Sequence, residues 1–310
     1  MGYKIFNGII CAILFILMAC MIVMKIDINN LNERLTCINE NENFYNIESK
    51  VIGIAHAGGV SDTYPENTMI AMRAAAEMGF RYIEFDVNWT SDGIPVLIHD
   101  RTINRTARDE NGNKYEQDIY IDNITYEESQ NYDVGLYKDE MYRNIHIPTF
   151  YEAIEFCRDT GIVPVIEIKC ATNDSQKVEE LVEIVNQNGL MDIAWWLTDD
   201  GTGALLSYVK DNYPKATLLL NLWGTVDESY VEKIESLRTG ENNVICMSPW
   251  SYQNEDSIQL LIDSHIPYIS GEPVHEKADC EKLTKYAIGI LSNDVLPERA
   301  LFESALDKIH

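Results

Sequence analysis

Acidic side chains at two places in the chain are spaced so that they can meet at one site. Glu84 and Asp86 lie two residues apart in Tyr82–Val87, an apolar run that predicts a β-strand. Residues i and i+2 of a strand point to the same face, so both carboxylates should lie on one side. Glu167 lies near the end of a second such run, Val163–Ile168. Three converging carboxylates would repel one another unless a cation lay between them, and their oxygen atoms suit Mg²⁺ or Ca²⁺.

Two histidines could transfer protons beside these acids. His56 and His99 each follow a short apolar run, so their side chains could face one site. A histidine accepts or gives a proton near neutral pH, and two facing histidines could divide the roles of general acid and general base. Asn67, which we expect one turn into a helix that begins at Pro65, could hydrogen-bond a ligand or orient a metal-bound carboxylate.

Each of these residues also has an ordinary structural interpretation. Carboxylates at a rim can pair with Lys or Arg without any metal, and a histidine at the end of a strand often serves packing. Asn67 could make a local contact at the start of its helix. The residue types and spacings alone leave these alternatives open beside the metal and proton-transfer interpretations.

The chain carries a large excess of negative charge. Its 310 residues include 24 Lys and Arg against 50 Asp and Glu, a formal net charge of −26. This balance argues against nucleic acid as a partner, because binding a phosphate backbone needs clustered cations. An anionic substrate would need a metal ion or local cations to offset the field of the protein.

The first 25 residues are predicted to form a transmembrane anchor. Residues 5–24 are almost wholly apolar, and about 20 helical residues rise roughly 30 Å, enough to cross a bilayer. A cleaved signal peptide and a lipoprotein signal at Cys20 are the alternatives, although the apolar run is long for the first and continues past the cysteine for the second. We expect the amino terminus inside and the rest of the chain on the extracytoplasmic side of the cell membrane.

Residues 26–50 are polar and predict a linker or a short stalk. Ile28, Leu31, Leu35 and Ile38 follow the 3-4-3 spacing of a coiled coil, which would make the protein a homodimer through residues 28–38. Two heptads are fewer than a firm coiled-coil prediction needs, so a plain tether is the favoured interpretation.

From Val51 to His310, strand-like runs alternate with amphipathic helical segments. This alternation predicts one α/β domain with parallel strands. Nine candidate strands compete for the eight places of a barrel. Pro95–Ile98, which follows the Ser91–Gly93 turn and could form a hairpin, and Val244–Met247 are the candidates for the irregular one.

The order of the motifs in residues 51–170 resembles the glycerophosphodiester phosphodiesterase family, which belongs to the barrel-shaped phosphodiesterases related to phosphatidylinositol phospholipase C. The matching motifs are His56-Ala57-Gly58, Pro65-Glu66-Asn67-Thr68, Glu84-Phe85-Asp86, Thr90-Ser91-Asp92-Gly93, His99-Asp100, Arg105-Thr106, Ile147-Pro148-Thr149 and Glu167-Ile168-Lys169. So many elements in the family's order make coincidence a poor explanation.

The resemblance implies a TIM-type (β/α)8 barrel over residues 51–310 and a specific set of roles. Glu84, Asp86 and Glu167 would hold one divalent cation, Mg²⁺ or Ca²⁺. His56 and His99 would be the general acid and base. Lys169 would stabilise the phosphate charge, and Asn67 and Arg105 would contact the substrate.

The sequence departs from the family pattern at Ala57, where the family usually has an arginine that binds phosphate. Arg101 or Arg105 could compensate for the missing guanidinium. The carboxy-terminal half matches the family pattern only weakly. The identity of the leaving alcohol is therefore not determined, whereas the reaction type is.

The expected activity is therefore hydrolysis of a small or lipid-derived glycerophosphodiester to glycerol 3-phosphate and an alcohol. The sequence does not decide between direct attack by water and a cyclic phosphate intermediate. Two alternatives stand beside this expectation. One is a phospholipase C-like lyase on membrane lipids, and the other is a binding protein that has lost catalysis.

Overall fold

The computed structural model describes residues 51–171, 174–199, 201–283 and 286–297. The predicted anchor, residues 1–25, and the predicted linker or stalk, residues 26–50, lie outside the described residues. Within the described ranges, no helix is both long enough and apolar enough to cross a membrane.

Nine strands form one sheet across the described residues, and eight of them close into a parallel barrel. The closed order is β1-β9-β8-β7-β6-β5-β4-β2, with β1 paired to β2. The strands are β1 Ile52–Ala55, β2 Tyr82–Trp89, β3 Pro95–Leu97, β4 Val163–Ile168, β5 Trp195–Thr198, β6 Thr217–Asn221, β7 Val244–Ser248, β8 Tyr268–Val274 and β9 Gly289–Ser292. The expected α/β barrel is confirmed.

The ninth strand is the short β3, which pairs antiparallel with β2 through the hairpin predicted at Ser91–Gly93. It lies outside the parallel ring. The other candidate for irregularity, β7, is an ordinary barrel strand with parallel neighbours on both sides.

Helices between successive strands cover the barrel, as crossover connections between parallel strands require. Their bounds are α1 Met69–Met78, α2 Tyr126–Ser129, α3 Phe150–Thr160, α4 Ser175–Gln187, α5 Ala204–Asn212, α6 Glu228–Leu237, α7 Glu255–Asp263 and α8 Lys277–Leu283. Several begin at a side-chain cap. Thr149 caps α3 in a capping box with Glu152, and Asp227 caps α6 by accepting from the Tyr230 amide.

The first helix begins later than the sequence predicts. Thr68 is its N-cap and accepts a hydrogen bond from the Ala71 amide, so α1 starts at Met69 rather than at Pro65. Asn67 precedes the helix with a φ of 53°. The family-like Pro-Glu-Asn-Thr segment is therefore a turn that leads into the helix, which leaves the Asn67 side chain free to face the barrel.

Alternation along the strands divides apolar from acidic layers. On β2, Ile83, Phe85 and Val87 pack outward against the helices. The opposite face carries Tyr82, which packs with the interior layer of Val165 and Leu197, and then Glu84 and Asp86. The interior of the barrel is thus apolar near the amino ends of the strands and acidic near their carboxyl ends, where barrels carry their sites.

A long segment between β3 and α3 packs over one side of the mouth. It contains the short helix α2. It also encloses its own apolar cluster, whose members include Ile103, Ile121 and Ile147. This apolar cluster holds in place the backbone that carries His99 and Arg105.

Candidate active site

The three predicted ligands meet at the carboxyl ends of two neighbouring strands. In the parallel pairing of β2 with β4, Asp86 lies opposite Glu167, and Glu84 lies one inward step below. One carboxylate oxygen from each residue falls within 4.8 Å of the others. Glu84 and Asp86 are each 1% exposed and Glu167 is 8% exposed. The convergence predicted from strand spacing is observed.

Burial and mutual repulsion make this cluster hold protons tightly in the absence of a cation. Burial, followed by the charges of Asp86 and Glu167, raises the pKa of Glu84 well above its ordinary value. Burial and the Asp86 charge raise the pKa of Glu167 to about 8. Burial acts most strongly and would raise the pKa of Asp86, but the charges of Lys169, His99 and His56 and the hydrogen bond from Asn67 together lower it. A cation between the carboxylates would displace these protons.

Lys169 is the cation that the structure places against the cluster. Its Nζ lies 2.6 Å from Glu167 Oε1, 3.3 Å from Asp86 Oδ1 and 3.6 Å from Asp199 Oδ2. Burial alone would lower the pKa of Lys169, but these carboxylates raise it above its ordinary value, so the amine stays charged. The pairing of rim carboxylates with a basic side chain, considered as an alternative from the sequence, is therefore present. One lysine beside three buried, ionised carboxylates would still leave about two negative charges uncompensated.

The donor set fits a hard divalent cation. Among the described residues, the buried Glu84 Oε1 has no hydrogen-bond partner, and the buried Asp86 Oδ1 has no hydrogen bond and only the 3.3 Å ion pair with Lys169 Nζ. Buried carboxylate oxygens without a partner are costly unless something charged and positive meets them. Their chemistry is all-oxygen, which suits Mg²⁺ or Ca²⁺ better than a softer metal.

The loop from β1 to α1 holds two of the carboxylates in place. Ala57, at a φ of 53°, donates its backbone amide to Glu84 Oε2 at 2.8 Å. Asn67 uses both ends of its amide on Asp86: Nδ2 donates to Oδ2 at 2.8 Å, and Oδ1 accepts from the backbone amide at 3.1 Å. This geometry favours orientation of a carboxylate, the second of the two roles considered for Asn67, over its predicted contact with substrate.

The two predicted histidines flank this cluster in different surroundings. His56 Nδ1 lies 2.9 Å from Asn293 Oδ1. Burial lowers the pKa of His56 against the opposing charge of Asp86, so its imidazole is neutral at pH 7. His99 Nδ1 lies 2.6 Å from Asp100 Oδ1, and 44% of its side chain is exposed. Because an ionised carboxylate only accepts, His99 carries its proton on Nδ1 and presents Nε2.

The two arginines proposed to replace the family's phosphate-binding residue are both engaged elsewhere. Arg105 donates from Nε to Asp100 at 2.5 Å and from its two terminal nitrogens to Glu66 at 2.6 Å each. Arg101 donates to Asp122 and has 72% of its side chain exposed. Arg105 therefore supports His99 through Asp100, and its predicted contact with substrate stays a prediction.

Sequence reasoning did not single out several residues at this mouth. Asp199 lies two residues after Leu197 of β5, whose side chain points into the barrel. Alternation along the strand therefore predicts that Asp199 points the same way, and could have identified it from the sequence. Asn293, Asp62 and His275 come from three distant loops and carried no local signal.

Comparison with known proteins agrees with this arrangement. The model of the glycerophosphoryl diester phosphodiesterase family matches residues 58–195. A glycerophosphodiester phosphodiesterase of Caldanaerobacter subterraneus is 38% identical over 120 residues, which are 39% of this chain and 46% of that protein. The human glycerophosphodiester phosphodiesterase 1 is 52% identical over 58 residues, 19% of this chain and 17% of that protein. The match thus spans less than half the length of these relatives.

Solved structures share the barrel over most of its length. A phosphodiesterase of Oleispira antarctica in complex with the product sn-glycerol-3-phosphate superposes with a TM-score of 0.68 at 24% identity, covering 83% of this chain and 96% of that one. A glycerophosphodiester phosphodiesterase of Agrobacterium tumefaciens gives a TM-score of 0.60 at 19% identity, covering 78% of this chain and 96% of that one. Residues 58–195, which are less than half of this chain, therefore match the glycerophosphoryl diester phosphodiesterase family, and the barrel that contains them has the fold of these solved structures.

Proposed function

We propose that this protein is a metal-dependent phosphodiesterase that hydrolyses glycerophosphodiesters to glycerol 3-phosphate and an alcohol. The observation that carries this proposal is the buried Glu84–Asp86–Glu167 cluster, in which Glu84 Oε1 has no partner among the described residues, between two histidines at the mouth of a barrel. The product found in the Oleispira antarctica phosphodiesterase supports the choice of substrate class.

Glu84, Asp86 and Glu167 would hold one divalent cation, either Mg²⁺ or Ca²⁺. When bound, that cation supplies positive charge to a phosphate that would otherwise approach an acidic mouth. Three carboxylates and M²⁺ sum to about −1, and a phosphodiester adds another −1. Lys169 and one protonated histidine balance both charges, which is the electrostatic complement that phosphoryl transfer requires.

His56 and His99 would divide the proton transfers. His56 is neutral, so it suits the role of general base toward the attacking group, which is either water or the glycerol hydroxyl. His99, whose Nδ1–H is held by Asp100, would donate a proton to the leaving alcohol from Nε2 as the imidazolium, in which both ring nitrogens carry protons. Lys169, whose Nζ lies 2.6 Å from Glu167 Oε1, would stabilise negative charge on the phosphate.

We also propose that residues 1–25 anchor the protein in the cell membrane with the barrel on the extracytoplasmic side. The apolar run of residues 5–24 supports this proposal. Lipid head groups and glycerol-phosphate polymers are then plausible sources of substrate. A homodimer through residues 28–38 stays a prediction from the 3-4-3 spacing.

The activity can be tested with the full chain purified in detergent. Glycerophosphocholine, glycerophosphoethanolamine and glycerophosphoglycerol are incubated with the protein, and glycerol 3-phosphate is measured by an enzyme-coupled assay. We expect release in Mg²⁺ or Ca²⁺ and its loss in chelator. Phosphorus NMR of the products separates the alternatives, because a stable cyclic phosphate indicates the lyase and unchanged substrates indicate a binding protein.

A further inference from the structure

A line of hydrogen bonds runs from His56 to the outer edge of the barrel mouth. His56 Nδ1 lies 2.9 Å from Asn293 Oδ1, and Asn293 Nδ2 donates to Asp62 Oδ1 at 2.8 Å. The other oxygen of Asp62, Oδ2, lies 2.5 Å from His275 Nδ1. The four residues therefore form one continuous path from a partly buried imidazole to an exposed one.

The chemistry of the groups gives this path a single direction. An ionised carboxylate accepts hydrogen bonds only, so Asp62 requires the amide NH₂ of Asn293 to face it. The amide oxygen of Asn293 must then face His56, and an amide oxygen also only accepts. His56 is thereby required to carry its proton on Nδ1, which leaves the lone pair of Nε2 directed away from Asn293.

Asp62 is suited to this role because it is held in the ionised form. Burial acts to raise its pKa, but the hydrogen bonds from His275 and Asn293, together with the charges of His275 and Lys138, lower it below the ordinary value. His275 thus contributes a donor at the outer end of the line, where 56% of its side chain is exposed.

Barrel closure assembles the line from three segments. Asp62 lies in the loop after β1, His275 follows β8 and Asn293 follows β9. The same closure holds the backbone of His56, whose amide donates to the Ser292 carbonyl at 2.9 Å. Asn293 is 8% exposed, so water competes little for its amide.

We propose that Asn293, Asp62 and His275 are positioning residues that set the tautomer and the orientation of the His56 imidazole for proton transfer. This inference rests on the proposed phosphodiesterase activity, and it extends that proposal to residues that the motifs matched in residues 51–170 do not include. Asp100 orients His99 in the same way, through a direct hydrogen bond to its Nδ1. His56 is instead oriented by the Asn293 amide, which lies between the imidazole and the Asp62 carboxylate. The amide fixes the tautomer of the neutral His56 without placing a full negative charge against its ring.

The first test combines kinetics with a spectroscopic readout on the full chain in detergent. Asn293→Leu removes the acceptor for His56 and is expected to lower kcat for glycerophosphocholine roughly 10- to 100-fold with little change in KM. In ¹⁵N-histidine spectra of the protein, which has six histidines, His56 should appear as the pure Nδ1–H tautomer. Its signal, assigned with His56→Gln, should become a mixture of tautomers in Asn293→Leu.

Variants of Asp62 distinguish loss of the Asn293 orientation from general loss of structure in the loop after β1. Asp62→Ala should lower kcat and mix the His56 tautomers, because nothing then selects the direction of the Asn293 amide. Asp62→Asn keeps the size of this side chain but can present either end of its amide to Asn293. It should therefore also lower kcat and mix the His56 tautomers, and a single tautomer with unchanged kcat would show that the carboxylate does not set the direction.

Asp294→Ala is the matched control. Asp294 ties the same loop to the same carboxy-terminal segment by accepting from Thr63 Oγ1 at 2.5 Å and from the Asp62 amide at 3.1 Å, but it does not contact His56. It should leave kcat and the tautomer near their starting values. An equal loss in Asp294→Ala would show that loop anchoring, not the hydrogen-bonded line, is what matters, and would overturn the inference.

The two levels of proposal fail in different ways. If the unchanged protein releases no glycerol 3-phosphate, the proposed function is wrong. If it does, and Asn293→Leu keeps both its kcat and a pure Nδ1–H signal for His56, the positioning role is wrong. The histidine spectra decide on the tautomer in either case, because they need no turnover.

Discussion

At the scale of single residues, the site is defined by buried carboxylates whose negative charge the neighbouring side chains do not fully neutralise. Lys169 meets Glu167 and Asp86, but Glu84 Oε1 has no partner among the described residues. An uncompensated buried carboxylate normally destabilises a fold. Such an arrangement is expected where a cation binds, since the binding energy of the cation offsets the repulsion.

Glu84→Gln should abolish the response of the protein to divalent cations. At a cation concentration about 100 times the dissociation constant, binding stabilises the folded state by about 2.7 kcal/mol. The variant should lose this gain and, in chelator, should be at least as stable as the unchanged protein because a neutral amide avoids the cost of burying or protonating the Glu84 carboxyl group. Thermal unfolding with and without Mg²⁺ or Ca²⁺ measures both effects.

The control for this prediction is Glu179→Gln on the exposed side of α4. It removes the same charge from the protein, so a general effect of net charge would appear in both variants. A cation-dependent shift that survives in Glu84→Gln would contradict the assigned site.

His99→Ala should lower kcat by a factor of about 100 or more, the ordinary contribution of a general acid. The thermal shift produced by divalent cations should persist, because His99 is outside the carboxylate cluster. His146→Ala, which changes an exposed histidine of the same segment, should leave kcat unchanged. Unaltered turnover in His99→Ala would remove this residue from the mechanism.

At the scale of elements, the β1–α1 loop brings backbone into direct contact with the site. Gly58 and Gly59 let the loop pass against the turn and helix that follow it. A Cβ on Gly58 would lie 2.7 Å from Asn67 Cα, and one on Gly59 would lie 2.3 Å from the Ala71 carbonyl oxygen. This close approach places the Ala57 amide on Glu84 and the Asn67 amide on Asp86.

Gly59→Ala is therefore expected to reduce the free energy of unfolding by roughly 3 kcal/mol, through both a positive φ and a clash with backbone. Gly93→Ala is the matched variant, because Gly93 also has a positive φ, of 81°, but no atom lies within 4 Å of its added Cβ. It should cost only about 1 kcal/mol. Chemical denaturation measures the two values, and equal losses would show that the close approach to α1 is not a constraint.

At the scale of the whole molecule, the acidic cluster makes stability depend on pH and on cation together. The pKa of Glu167 rises from 4.5 to about 8 on folding, and the pKa of Glu84 is also raised. A carboxyl group with a raised pKa contributes stability that is fully present below about pH 4.5 and is lost as the pH rises through about 8. The lowered pKa of Asp86 acts in the opposite direction, but only below about pH 4.

In chelator, the melting temperature should therefore fall between pH 5 and pH 8 by more in the unchanged protein than in Glu84→Gln. Added Mg²⁺ or Ca²⁺ should restore more stability at pH 8 than at pH 5, because protons and the cation compete for the same oxygens. Differential scanning fluorimetry across this range gives both dependences. A cation effect that is independent of pH would contradict competition at these carboxylates.

The amino-acid sequence by itself determined the barrel class and the carboxylate pair of β2. Alternation along one strand is a local property, so Glu84 and Asp86 must share a face wherever that strand lies. The motif order extended this reasoning to Glu167, His56 and His99. The start of α1 was placed too early, because proline is tolerated in turns as well as in first helical turns.

Only the tertiary structure decided which groups meet across the mouth. Barrel closure between β1 and β9 brings Asn293 to His56, and the loops after β1 and β8 bring Asp62 to His275. The engagement of Arg105 by Glu66 and Asp100 likewise depends on how the long segment folds over the rim. No local pattern encodes such contacts, because they depend on residues up to 237 positions apart in the chain.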